Sequence, residues 1–213
     1  LGSRGLGDVY KRQEEDVSTL KGLDDFSRVG EYYMLAVEPA EQGYNASYIY
    51  CDEETMYIAR DQMKLLEGRL PQKEDEVVVS RYFLSNYGAD AGIGEKVMLS
   101  SESFHGEYTV TGILEGYKEK EVNGTSILLS KEALKGWSGY DPADYRAYVH
   151  FKNEQQMDET ELTARSREIA KEYQLEMPVM NLSYMKFYKQ PVNVSMLALV
   201  AGIAVLVIIG VYV

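Results

Sequence analysis

The sequence predicts an α+β domain followed by a transmembrane helix. Three observations carry this. Residues 194–213, VSMLALVAGIAVLVIIGVYV, hold no charge. At about 1.5 Å of rise per residue, such a run spans roughly 30 Å, the hydrocarbon thickness of a bilayer. Upstream, short segments alternate apolar and polar residues at the strand period while others repeat at the helical one. The upstream segment is also acidic, rich in tyrosine and nearly free of cysteine.

The uncharged run exceeds the usual length of a buried core helix. Its β-branched residues are poor helix formers in water, but in lipid a helix must satisfy its own backbone hydrogen bonds. Pro191 stands just before it, and Tyr184, Phe187 and Tyr188 alternate with Lys186 and Lys189 in the manner of a membrane–water interface. No basic cluster follows Val213, and the chain begins at Leu1. The sequence is therefore expected to be a fragment of a longer protein. Residues 1–13, LGSRGLGDVYKRQ, carry basic residues without an apolar core and so are not a signal peptide. They read as a non-native leader.

Of 22 basic and 34 acidic residues, the leader holds three and one, which leaves 19 and 33 in residues 14–193, a net −14. Such a surface repels nucleic acid and anionic lipid, and no nucleic-acid partner is expected. Cys51 is the only cysteine, so no internal disulfide exists. It reads as a small, half-buried strand residue. Acidic, tyrosine-rich and cysteine-poor composition suits a solvated domain outside a bacterial cell.

Taken in order, Glu14–Asp25 reads as a short polar helix with Val17, Leu20 and Leu23 on one side. Ser27–Val37 and Tyr44–Cys51 read as strands. Glu53–Leu66 reads as partly helical. A turn at Gly68 and a loop at Pro71 lead to a buried strand, Glu76–Ser80. Arg81–Tyr87 is a short helix with Gly88 as a C′ glycine. After a turn at Gly92–Glu95, Lys96–Ser100 and Glu107–Leu114 are strands. In the second, Tyr108, Val110 and Gly112 should share one face. Thr125–Ser130 is a buried strand, Lys131–Lys135 a helical turn and Asp144–Lys152 a half-exposed strand. Glu154–Tyr173 is an amphipathic helix with Leu162, Ile169, Ala170 and Tyr173 as its apolar stripe, acids toward its start and bases toward its end. A further strand is expected before Val179. No internal repeat is present.

The run from Leu65 to Leu114 resembles the extracytoplasmic (MacB-like periplasmic core) domain of FtsX/MacB-like ABC-transporter permeases. Glu67, Gly68, Arg69, Pro71, Glu76, Ser80, Gly88, Gly94, Val97, Val110, Gly112 and Ile113 carry the resemblance. It implies a two-lobed α+β domain: residues 14–60 and 141–192 as the membrane-proximal lobe, 61–140 as an inserted β-rich lobe, and 193–213 as the returning transmembrane helix. It also implies three partners: a cytoplasmic ABC ATPase subunit, a second permease copy or half, and membrane lipid.

No catalytic constellation accompanies this. G-x-x-x-x-G-K-[ST], G-x-S-x-G and H-E-x-x-H are all missing from the sequence, so no catalytic, cofactor or metal residue is assigned and no cofactor is expected. His105 and His150 lack a ligand at metal spacing. The acidic runs at 14–16, 52–54 and 74–76 read as solvated surface, and Arg69 as a turn residue bonded to a nearby carboxylate or carbonyl. N-x-[ST] at Asn45, Asn123, Asn181 and Asn193 favours a rival reading, a single-pass surface receptor. Cysteine poverty and the Leu65–Leu114 run weigh against it.

Overall fold

The computed structural model describes residues 16–60, 63–88, 91–116, 124–141 and 145–175. The chain divides into two compact units, Leu1–Lys152 and Asn153–Val213. In the first, helix α1 (residues 16–21) precedes β1 (Phe26–Pro39), β2 (Asn45–Cys51), α2 (Glu53–Ile58), β3 (Met63–Gly68), β4 (Glu76–Ser80), α3 (Arg81–Tyr87), β5 (Lys96–Ser100), β6 (His105–Gly116), β7 (Gly124–Leu129), α4 (Lys131–Gly136) and β8 (Tyr145–Phe151). The second contains a 3₁₀ turn, Glu154–Gln156, and α5 (Glu159–Glu172).

Strand β4 shows why the sheet has its order. Each of its five residues is buried, and Val77, Val78 and Val79 are fully so. A strand apolar on both faces belongs in a sheet's interior, where each valine contributes about 1.5–3 kcal/mol. It lies between β6, which is parallel to it, and β7, which is antiparallel. The full order is β3-β6-β4-β7-β2-β1-β8. β3 and β5 both pair with β6, β5 along its first half and β3 along its second. The β2–β7 parallel pair joins β1, β2 and β8 to the strands drawn from 61–140. One sheet thus runs across the expected boundary at 60/61, and two separate lobes are not shown.

Both faces are covered. On one, α2 sits so close to β1 that a Cβ on Gly30 would meet the Thr55 backbone nitrogen at 2.3 Å. Ile49, Cys51, Met56, Met63, Val78, Leu114 and Leu128 form the core there. The other face is aromatic: Tyr48 packs on Phe104 at 4.3 Å between ring centres, Phe104 on Trp137 at 6.0 Å, and Tyr44 on Phe83 at 5.4 Å. Ser80 and Ser130, each ending a buried strand, accept backbone N–H bonds from Phe83 and Ala133 and so begin α3 and α4.

Several expectations need correction. Glu53–Leu66 is partly helical as expected, with the helix at Glu53–Ile58, whereas Met63–Leu66 is strand, its ladder with β6 supplying the backbone bonds. Gly88 caps α3 with φ −87°, so it is not a left-handed C′ residue. Glycine is required for space, since a Cβ would lie 2.7 Å from the Leu84 Cα. The β6 alternation breaks at Thr111: Val110 pairs with Val77 but Gly112 with Val78, which places Val110 and Gly112 on opposite faces. The long soluble helix begins at Glu159, where Asp158 and Glu161 form a capping box. Leu162, Ile169 and Ala170 are its buried residues, while Tyr173 is half-buried. The strand expected before Val179 and the span at 193–213 lie outside the described residues. Among those described, no helix is long and apolar enough to cross a membrane.

Candidate functional site

The chain enters and leaves the first unit at one place. β1 and β8 are antiparallel neighbours with Phe26 opposite Phe151, their rings 4.8 Å apart. The Lys152 N–H donates to the Asp25 carbonyl at 2.9 Å, and Lys152 Nζ reaches Asp24 at 3.3 Å. α1 lies immediately upstream, with Val17 and Leu20 buried.

At the opposite edge of the sheet lie Gly68, Arg69, Glu76 and Gly112 of the Leu65–Leu114 run. Gly68 pairs with Gly112 and has φ +80°. A Cβ on Gly68 would meet the Thr111 carbonyl at 2.2 Å, and one on Gly112 would meet that of Arg69 at 2.8 Å. The bulge at Thr111 therefore requires glycine on both strands. Arg69 then donates to both oxygens of Glu76, at 2.7 and 2.8 Å, and to the Leu70 carbonyl at 3.0 Å. Glu76 also accepts the Gln72 N–H at 2.9 Å. The Arg69 guanidinium and these backbone donors hold the Glu76 carboxyl at about 2, against 4.5 ordinarily. Arg69 is thus a turn clamp, as its sequence context predicts.

The other singled-out residues do not converge. Cys51 is fully buried in β2 rather than half-buried, and burial pushes its thiol up to about 12. His105 is exposed at the start of β6. His150 lies in β8 with its Nδ1 2.9 Å from the Ser27 hydroxyl. Among the described residues no group of His, Cys, Asp and Glu could hold a metal ion. The acidic runs are less idle than expected. Asp52 caps α2, Glu54 pairs with Arg28 at 2.7 Å and Glu76 closes the turn. Asn45 is exposed at the start of β2; Asn123, Asn181 and Asn193 lie outside the described residues.

Two clusters had no sequence signal, because their members lie far apart in the chain. Glu31 accepts from Lys21 and Lys131, each at 2.7 Å, from Tyr50 at 3.2 Å and from Tyr145. Burial alone would raise its carboxyl, but the two ammonium groups and Tyr145 outweigh it and bring the value to about 2. Near the Phe26–Phe151 end, the Arg28 guanidinium stacks 3.9 Å from the Tyr57 ring centre and that of Arg60 lies 4.9 Å from it.

No family model matches this chain, and no curated protein matches it. Solved structures do. The extracellular domain of the noncanonic ABC-type transporter YknZ from Gram-positive bacteria is 18% identical, with a TM-score of 0.54 over 79% of this chain and 88% of that one. The periplasmic region of MacB from Actinobacillus actinomycetemcomitans is 15% identical, with a TM-score of 0.52 over 86% and 87%. The chain has the fold of these extracellular and periplasmic transporter domains.

Proposed function

We propose that this chain is the extracytoplasmic domain of a bacterial ABC-transporter permease, with residues 14–192 outside the cell membrane and 193–213 a membrane helix. The observation that carries this reading is the pairing of Phe26 with Phe151, which brings the incoming and outgoing strands together at one end of a sheet with this fold. A separate cytoplasmic ATPase subunit binds and hydrolyses ATP, and a second permease copy or half completes the pathway. The membrane helices transmit nucleotide-driven motion to the domain through the segments before β1 and after β8. The domain's task is export, extraction or signalling of a peptide, lipid or lipoprotein. The halves of the sheet either side of the β2–β7 junction serve as the membrane-proximal and distal parts.

The test is affinity purification of the full-length protein from detergent-solubilised membranes. Recovery of an ABC ATPase in near-stoichiometric amount supports the permease. Its repeated absence, with a single-span topology, supports a membrane-anchored receptor instead.

A further inference from the structure

We infer that α1 is a releasable strap, able to leave the sheet without stranding the carboxylate that holds it. The inference concerns the first unit alone and stands whether or not the permease reading does. Glu31 on β1 carries one negative charge and accepts from two ammonium groups. Lys21 at the end of α1 and Lys131 at the start of α4 each reach it at 2.7 Å, on different oxygens. Tyr50 donates to the oxygen that Lys131 holds, at 3.2 Å, and Tyr145 donates there too. The Glu31 side chain is only 15% exposed. Such a carboxylate is costly once its last cation has gone, but not while one remains. Lys21 can therefore withdraw while Lys131, Tyr50 and Tyr145 keep Glu31 paired. Lys21 is 44% exposed, so water replaces the bond it gives up, and the exchange costs what a surface ion pair is worth.

The elements decide which arm moves. α4 follows β7 directly, begins with the Ser130 cap and buries Leu134. Its Lys131 also lies 5.8 Å from the ring centres of both Tyr50 and Tyr145. α1 is joined to the sheet differently. Over residues 16–21 it buries Val17 and Leu20, and the sheet begins only at Phe26, after the exposed Gly22 and Asp24. A helix of this length does not hold itself in water, so release unwinds it. From Phe26 onward the chain is clamped, since β1 pairs with β8 from Phe26 to Tyr33 and with β2 from Tyr32 to Pro39. A pull from upstream is thus taken up by α1 and the Gly22–Asp25 link, and stops at the sheet.

The test is native-state hydrogen exchange of the full-length protein in detergent micelles, read by mass spectrometry. The Gly22 and Leu23 amides donate to the Thr19 and Leu20 carbonyls. They should exchange through a local opening that low urea does not accelerate, while β4 amides follow urea as global unfolding does. Lys21→Met keeps the apolar stem. It should speed exchange in α1 about fivefold, the equivalent of about 1 kcal/mol, and leave β1 and β4 unchanged. In a Lys131→Met background the same change removes the last cation from Glu31. Exchange in β4 should then rise on the order of tenfold beyond the product of the single effects. A double variant that fails to fold while each single variant folds shows the same coupling. The inference is overturned if α1 amides exchange only in step with β4, or if Lys21→Met alone leaves α1 unchanged or accelerates β4. Independent effects of the two substitutions also overturn it.

Discussion

Glu31 gathers donors from four elements: Lys21 at the end of α1, Tyr50 on β2, Lys131 at the start of α4 and Tyr145 on β8. Its carboxyl is depressed in the folded state, so its contribution is present above the unfolded value near 4.5 and is lost as pH falls toward 2. Glu31→Gln should cost about 2 kcal/mol at neutral pH, allowing for partial solvent screening, and the variant's stability should vary less between pH 4.5 and 2. Urea unfolding across that range measures both. Tyr44 presents the opposite case. It is 1% exposed, and its hydroxyl has no hydrogen-bond partner among the described residues. Tyr44→Phe removes an unsatisfied group while keeping the ring contact with Phe83, so stability should stay within about 1 kcal/mol or rise. A loss of more than about 2 kcal/mol would mean the hydroxyl is satisfied in solution.

At the scale of elements, the paired glycines at the β3–β6 bulge are the most constrained feature. Gly68→Ala places a Cβ against the Thr111 carbonyl at a left-handed backbone position and should cost about 3 kcal/mol or more. Gly94 has φ +88° with open space around it, so Gly94→Ala should cost only about 1 kcal/mol. Thermal unfolding of the two variants separates the close approach from the backbone preference. In the second unit, Asp158→Ala removes the capping box and should weaken α5 by about 1 kcal/mol. Strands β1, β2, β4, β5, β6, β7 and β8 were legible because alternation or continuous apolarity marks a strand locally. β3 was not, because M-K-L-L suits a helix as well and only the ladder with β6 decides between them. The bulges at Leu35, Leu66 and Thr111 were also hidden, since each arises from pairing rather than from the strand's own residues. Arg69 could be read as a turn clamp because its partner is seven residues away; Glu31 could not, with Lys131 one hundred away.

Over the whole first unit, the parallel β2–β7 pair and the Phe26–Phe151 closure organise the rest. Neither is visible locally, but the ordered run from Leu65 to Leu114 pointed to the fold that contains both. In a permease of this kind the sheet stands outside the cell membrane. Val37 is 62% exposed on β1, whereas Cys51 is 4% exposed with its thiol pushed up to about 12. The most direct measurement is therefore labelling of full-length Val37→Cys with a membrane-impermeant maleimide, using spheroplasts or, where no outer membrane exists, whole cells. Modification is expected without lysis, above that of the unsubstituted protein. Labelling of Val37→Cys only after the membrane is opened would contradict it.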